Sequence, residues 1–247
     1  MSHNGAHHSN RALAAMLARA IQAHERLPEF PSTIELGDAY ALQHMVTSLC
    51  TPGSTDGIKA GVTADRLQKH LGLKHALLGS LYGKSRLPAK SVLPYIEGRM
   101  LECELAVTVD GYGNPKAVAP AVEIVYLRFS RQDDFSASNL VSCNLGADAY
   151  IVGDSVPWSR RYGAASVTLT RDGEVLNRAP MNDALGGSEE SIRWIWQESI
   201  HRGFAPVANS LLLTGACGKV VAAEPGSYSA DFKELGKLEF EIRNAAN

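Results

Sequence analysis

Several features that would place a protein in a special class are missing from this sequence of 247 residues. Lysine and arginine, 24 together, do not exceed the 26 aspartates and glutamates, so the positive surplus that neutralises nucleic-acid phosphates is lacking. No apolar run approaches the roughly 20 residues that cross a bilayer. The sequence therefore predicts neither a nucleic-acid partner nor residence in a membrane.

Cysteine is scarce and scattered. The four positions, Cys50, Cys103, Cys143 and Cys217, contain no C-x-x-C spacing, which argues against a zinc site and against a disulfide framework. We expect reduced thiols and a cytoplasmic location.

The chain also lacks internal repeats and long linkers. Residues 1–10 are polar and contain no apolar segment of a secretory signal, so we expect them to form a disordered leader. Residues 11–247 are expected to form a single domain, in which residues 11–52 make a helical N-terminal layer.

Apolar residues at helical spacing predict a helix over residues 10–26, where Leu13, Met16, Leu17 and Ala20 share one face. Further helices are predicted over about 36–50, over 64–70 with Thr63 as its N-cap, and over 188–202.

From Leu101 the apolar period changes to two, which predicts a strand over 101–109. Other strands are predicted at 57–62, 121–129, 149–152, 166–171, 174–177, 210–214, 219–222 and 237–242. The order of these elements indicates an α+β fold with a β-rich body behind N-terminal helices.

Glu102 and Glu104 alternate with the apolar residues of the 101–109 strand. Side chains two apart on a strand leave the same face about 6.5–7 Å apart, close enough to bind one cation. A solvated strand face explains the same pattern, and it is the commoner situation for a Glu-x-Glu pair.

Glu123 lies on the strand face that carries Ala121, Val125 and Leu127, where a buried surface is expected. An ionised carboxylate there is costly unless it is paired or bound to metal. The alternatives are a core ion pair with an arginine such as Arg128, or a less buried face. As a set, three carboxylates without histidine favour Mg²⁺ or Mn²⁺ over Zn²⁺.

Five segments in order resemble the fumarylacetoacetate hydrolase superfamily, in its branch of 2-oxopent-4-enoate hydratases and 4-oxalocrotonate decarboxylases. They are Ala39-Tyr40-Ala41-Leu42-Gln43, Lys59-Ala60-Gly61-Val62-Thr63, Glu102-Cys103-Glu104, Pro120-Ala121-Val122-Glu123 and Leu213-Thr214-Gly215, with a weaker match at residues 225–236.

The resemblance implies a mixed β-sheet/β-roll body of the fumarylacetoacetase-like type. It also implies that Glu102, Glu104 and Glu123 hold Mg²⁺ or Mn²⁺, which chelates a small 2-oxo acid. Lys59 matches a lysine near the metal and is the predicted catalytic residue, with a pKa that partial burial would lower. Gln43, Thr63 and Asn144 are predicted to bind substrate; packing or capping roles explain Gln43 and Thr63 equally well.

One departure from the branch lies at residues 142–146, where Ser142-Cys143-Asn144-Leu145-Gly146 replaces Ala-Asp-Asn-x-Ser. Cys143 is thus either a substitute acid/base or, as a lone cysteine more commonly is, a small buried hydrophobe.

The sequence predicts a metal-dependent hydratase, a hydro-lyase acting on a small 2-hydroxydienoate or 2-oxo acid in aromatic catabolism. The alternatives are a 2-oxo acid decarboxylase and a non-catalytic member that binds metal and ligand. Acylpyruvate hydrolysis is less favoured, because His24 and His44 are interpreted as helix-surface residues. The resemblance further implies a homo-oligomer or a complex with a pathway enzyme.

Overall fold

The computed structural model describes residues 3–31, 34–53 and 55–244, with side chains described from residue 10 onward. The first two residues of the predicted leader and the last three of the predicted domain lie outside these ranges. Among the described helices, none combines the length and the apolar character needed to cross a bilayer.

The described residues form five α-helices and fourteen β-strands. The helices are α1 (His3–Ala23), α2 (Leu36–Cys50), α3 (Asp65–His70), α4 (Ala137–Ser142) and α5 (Ser188–His201). The strands are β1 (Thr55–Gly61), β2 (Leu77–Tyr82), β3 (Arg86–Leu87), β4 (Val92–Pro94), β5 (Arg99–Val109), β6 (Pro115–Tyr126), β7 (Ala147–Val152), β8 (Val156–Pro157), β9 (Ser166–Arg171), β10 (Glu174–Pro180), β11 (Leu211–Leu213), β12 (Val221–Ala222), β13 (Gly226–Asp231) and β14 (Lys237–Arg243).

The N-terminal layer is a pair of packed helices. Leu13 and Leu17 of α1 join Leu42 and Val46 of α2 in one buried cluster. Met16, predicted for the same face, is 51% exposed, so that part of the prediction is wrong. Helix α1 begins at His3 and so runs through the segment expected to be a disordered leader. Extending an existing helix costs less than nucleating a new one, which accounts for the added turns.

The bounds of the other predicted helices agree closely with those in the structure, except for the N-cap of α3. Helix α2 has the predicted bounds, and α5 ends one residue before its predicted end. The N-cap of α3 is Ala64, so the predicted capping role of Thr63 is wrong. Gln68 Nε2 instead donates to the carbonyl oxygens of Val62 and Thr63, at 3.0 and 3.3 Å.

The larger sheet closes into a roll. Its strand order is β2-β1-β11-β5-β6-β7-β3, and β12 and β8 pair with β5 and β6. Strand β3 follows β2 after one turn, Gly83–Ser85, yet pairs with β7 at the other end of the sheet. The two edges are therefore joined, which confirms the predicted roll within an α+β fold.

A smaller sheet, ordered β10-β9-β13-β14-β4, packs beside the roll. Leu169 of β9 and Phe240 of β14 belong to the same main core as Leu101 and Ile124 of the roll. The outward face of the roll thus supplies the main core, and its inward face is free to hold a site.

Candidate metal centre

Strands β5 and β6 bring the three glutamates together on the inner face of the roll. Glu102 stands directly opposite Glu123 in the antiparallel register, and Glu104 lies two residues further along β5. Small side chains, Ala106 and Ala121 among them, occupy neighbouring inner positions and leave room for the carboxylates. One carboxylate oxygen from each glutamate lies within 4.8 Å of the others.

Two carboxylate oxygens of this cluster are buried without a hydrogen-bond partner. Glu104 and Glu123 are at most 1% exposed, and the unpaired atoms are Glu104 Oε1 and Glu123 Oε2. Glu104 Oε2 accepts a hydrogen bond from the backbone N–H of Gly215, at 2.9 Å. Unsatisfied anionic oxygens in a dry interior are costly. An all-oxygen set at this spacing fits a hard divalent cation, whose bonds to oxygen measure about 2.1 Å for Mg²⁺.

The electrostatics reflect three crowded acids, of which Glu104 and Glu123 are fully buried and Glu102 is partly exposed at the cavity. Burial, reinforced by the charge of Glu123, raises the pKa of Glu102 to about 7. Burial and the neighbouring carboxylates likewise raise the pKa of Glu104 well above its ordinary value. Burial also raises the pKa of Glu123, although Lys59 opposes the shift. A cation at the cluster would therefore relieve the cost of ionising these groups.

Lys59 is the cationic neighbour of the cluster. It lies on β1, is 2% exposed, and donates hydrogen bonds to Glu123 Oε1 and, at 3.3 Å, to the carbonyl oxygen of Leu145. Burial alone would lower the pKa of Lys59, but the negative charges of Glu123, Glu102 and Glu104 outweigh burial and raise it. The expected lowering of this pKa is therefore wrong.

Arg128, the sequence-based candidate for a core ion pair with Glu123, lies elsewhere. Its guanidinium is 3.9 Å from Glu97, which is mostly exposed. The buried partner of Glu123 is thus the lysine of β1, brought to β6 by the closure of the roll.

Asn144 supports the turn that carries the Leu145 carbonyl. Asn144 and Leu145 both adopt left-handed backbone angles, with φ of 54° and 53°, a conformation that is costly for a leucine. The Asn144 side chain holds this turn against β2, because it accepts from the N–H of Ser80 at 2.7 Å and donates to the Ser80 carbonyl at 2.9 Å. These contacts give Asn144 a structural task; its predicted contact with substrate stays a prediction.

Gly79 lies between these elements and leaves space for both. A Cβ at this position would meet Lys59 Cγ at 3.1 Å and Asn144 Oδ1 at 3.2 Å. The absence of a side chain lets the lysine chain and the asparagine amide pass side by side over β2.

Gln43 and Thr63 occupy different environments. Gln43 is fully buried on α2 and donates to the carbonyl of Leu78 at 2.9 Å, while its Oε1 has no hydrogen-bond partner. Thr63 lies at a cavity of about 130 Å³ that is also lined by Glu102. Only Thr63 of this pair reaches the cavity wall, and the substrate-binding role of each remains a prediction.

Cys143 is a buried side chain rather than a reactive thiolate. It is 1% exposed, its Sγ donates to the carbonyl of Leu140, and burial raises its pKa to about 12. The burial agrees with the interpretation as a small hydrophobe, and a raised pKa disfavours the thiolate that a general base would need at neutral pH.

Several contacts at the site were not predicted from the sequence. The Leu145 carbonyl, the Gly215 N–H and the side chain of Asp183, which lines the cavity with Glu102, come from segments distant in the chain. Gly215 belongs to the Leu-Thr-Gly segment already singled out, but nothing local marks Asp183 as part of the site.

The chain is similar to known proteins over most of its length. No family model matches the sequence. A "2-keto-4-pentenoate hydratase" of Paraburkholderia phymatum is 28% identical, over 92% of this chain and 95% of that protein. A "4-oxalocrotonate decarboxylase" of a Pseudomonas species is 26% identical over 59% of this chain and 57% of its own length.

Among solved structures, the 4-oxalocrotonate decarboxylase from Pseudomonas putida G7, complexed with magnesium and adipate, has a TM-score of 0.87 at 19% identity. The match covers 96% of this chain and 98% of the decarboxylase. The shared fold and the hydratase-like sequence together confirm the predicted resemblance to the fumarylacetoacetate hydrolase superfamily, in its hydratase and decarboxylase branch.

Proposed function

We propose that this chain is a metal-dependent hydratase, a lyase that adds water to a small 2-hydroxydienoate or its 2-oxo form. The observation that carries the proposal is the cluster of three inward-facing carboxylates, with two orphaned oxygens, beside a buried lysine and a small cavity. The sequence similarity to hydratases over 92% of the chain supports the same reaction class.

Glu102, Glu104 and Glu123 would hold the cation, with Mg²⁺ or Mn²⁺ favoured by the all-oxygen donor set. When bound, such a cation supplies Lewis acidity that stabilises the enolate of a 2-oxo acid. Magnesium in the similar decarboxylase structure supports this choice of metal.

The residues of the chain would bind and orient the substrate and hold its protons. Lys59 carries its ammonium next to Glu123, where it can bind the substrate carboxylate or hold a proton for transfer. Thr63 lines the cavity, and its hydroxyl is the proposed hydrogen-bonding group for a bound acid. Apolar and small residues make up most of the remaining wall.

The second candidate is decarboxylation of a 2-oxo acid with a further carboxylate. It is favoured by the sequence similarity to a 4-oxalocrotonate decarboxylase over 59% of the chain. The same 2-oxo group serves either reaction. It accepts an electron pair when water adds to the conjugated double bond or when CO₂ departs, it becomes an enolate in both cases, and protonation on carbon then restores the ketone.

One experiment separates the candidates. The protein is incubated with Mg²⁺ or Mn²⁺ and either 2-hydroxypenta-2,4-dienoate or 4-oxalocrotonate, and the products are followed by NMR. A hydroxyketone product supports the hydratase, and loss of CO₂ supports the decarboxylase. Metal-dependent ligand binding without turnover would identify a non-catalytic member. Glu104→Gln is the inactive control, and Glu174→Gln, an exposed change at the β9–β10 hairpin, is the matched control.

We further propose a homo-oligomer in the cytoplasm. Tyr112 and Val207 are 86% and 67% exposed, so the single chain leaves two large side chains with apolar surface uncovered. All four cysteines are free thiols, as expected in a reducing compartment. Sedimentation of the protein and of Tyr112→Ser tests the assembly; a monomer at micromolar concentration would refute it.

A further inference from the structure

The cavity beside the glutamates is poor in groups that could bind a second anion. Apart from Thr63, Glu102 and Asp183, its lining residues are glycine, alanine, valine or leucine, contributed by the segments around the ends of β1 and β11. Among the described residues that line it, Glu102 and Asp183 alone carry charge, and both charges are negative.

Asp183 is fixed at the solvent side of this cavity. Its side chain is exposed, and its Oδ2 accepts a hydrogen bond from the N–H of Gly218 at 3.1 Å. The segment that contains Gly218 is itself held by the buried side chain of Asn177. The Asn177 amide donates to the Cys217 carbonyl at 2.8 Å and accepts from the Lys219 N–H at 3.0 Å. The carboxylate of Asp183 is therefore anchored to a clamped wall of the cavity.

The charges inside the site balance once a divalent cation is bound, because the cation and Lys59 together offset the three glutamates. Asp183 then remains as the uncompensated charge on the cavity wall. Lys219 follows Gly218 in the chain, but it is exposed and does not line the cavity.

Resting on the proposed function, we propose that Asp183 determines substrate charge: the site accepts 2-oxo acids with an uncharged tail and disfavours those with a second carboxylate. The acid end of the substrate is drawn inward to Lys59 and the glutamate-bound cation, so the tail lies along the apolar wall towards Asp183. A carboxylate on that tail would lose hydration without gaining a cation, and it would face a like charge. Repulsion of the wrong ligand is a common source of specificity.

The test compares two unreactive ligands with six carbons each, 2-oxohexanoate and 2-oxoadipate, by calorimetry on the Mg²⁺-loaded protein. We expect 2-oxohexanoate to bind at least about threefold more tightly, the effect of a like charge near the surface. Asp183→Asn keeps an oxygen acceptor for Gly218 and should bring the ratio of the two dissociation constants closer to one. Glu174→Gln should leave this ratio unchanged. In the unaltered protein the ratio should also narrow as salt is raised.

The outcomes separate this inference from the proposed function. Equal binding of the two ligands, tighter binding of 2-oxoadipate, or an unchanged ratio in Asp183→Asn overturns the role of Asp183, while hydration of the dienoate leaves the hydratase proposal standing. If neither ligand binds and the dienoate is not hydrated, both proposals fall together. If neither ligand binds although the dienoate is hydrated, the charge-selection proposal alone is refuted.

Discussion

Lys59 and Glu123 form an ion pair in which neither side chain is more than 2% exposed. The pair joins β1 to β6, two strands that are not neighbours in the sheet. It places a positive charge against the carboxylate cluster and offsets part of the repulsion among the three acids. The lysine thus contributes both to the stability of the roll and to the chemistry proposed for it.

Replacement of Lys59 by methionine should destabilise the protein. The change leaves Glu123 buried without its cation, and removal of one partner of a buried pair costs about 3–5 kcal/mol. Urea unfolding in the absence of metal measures the effect, with Lys69→Met, an exposed change on α3, as the control. Hydratase activity should also fall at least about a hundredfold. Equal unfolding free energies for the two variants would contradict the structural role of the pair.

Glu104→Gln should raise the stability of the metal-free protein and reduce the stabilisation that Mg²⁺ provides. In metal-free protein the neutral amide removes a buried acid whose pKa is raised, and its oxygen can still accept from Gly215, so stability should rise by about 1 kcal/mol. Saturating Mg²⁺ should stabilise the unaltered protein by about 2.7 kcal/mol at a hundredfold excess over Kd. The variant should gain much less, which thermal unfolding with and without Mg²⁺ will show. If Mg²⁺ stabilised Glu104→Gln as much as the unaltered protein, Glu104 would not be a metal ligand.

Asp148 should make the stability depend on pH in the acid range. Arg99 Nε donates to its carboxylate at 2.6 Å, and His24 Nε2 lies 2.8 Å away, which corrects the interpretation of His24 as a helix-surface residue. Burial alone would raise the pKa of Asp148, but His24 and Arg99 outweigh it and lower the pKa.

Because the folded-state pKa is below the unfolded value, the stabilisation is present above about pH 4 and is lost as the pH falls through the folded pKa. Asp148→Asn should therefore lower the unfolding free energy by about 1–3 kcal/mol at neutral pH. The difference from the unaltered protein should shrink below pH 4. Denaturant titrations at several pH values measure it, with the exposed Asp133→Asn as control. A difference that stays constant down to pH 2 would contradict the assignment.

Asn144→Ala should loosen the turn that holds the Leu145 carbonyl. The change orphans the N–H and the carbonyl of Ser80, and each buried unsatisfied group costs about 1–3 kcal/mol. It should also release the left-handed turn and mobilise Lys59, so kcat should fall more than KM rises. Asn114→Ala, on the exposed β5–β6 hairpin, serves as control. Loss of substrate affinity at unchanged stability would instead favour the predicted substrate contact.

Local sequence patterns predicted the helices and strands that have one apolar and one polar face. Helix α2 has its predicted bounds, and the alternation along β5 places Glu102 and Glu104 on the face opposite Leu101 and Cys103, as expected. Strand β2 was missed because all six of its residues are buried, so neither face is marked by polar side chains. Strand β6 begins at Pro115, six residues before its predicted start, and ends before Phe129.

The sequence by itself determined which carboxylates make up the candidate metal site, because strand alternation and the motif resemblance both depend on residues close in the chain. Only the tertiary structure decided that Lys59, rather than Arg128, pairs with Glu123. It also decided that Gly215 contacts Glu104 and that Asp183 lines the same cavity as Glu102. These contacts span 64 residues between Lys59 and Glu123 and 111 between Glu104 and Gly215. The first contact arises because the curled sheet brings β1 to face β6, and the second because β11 pairs with β5. Strand register over such separations is set by the packing of the whole core rather than by any local pattern.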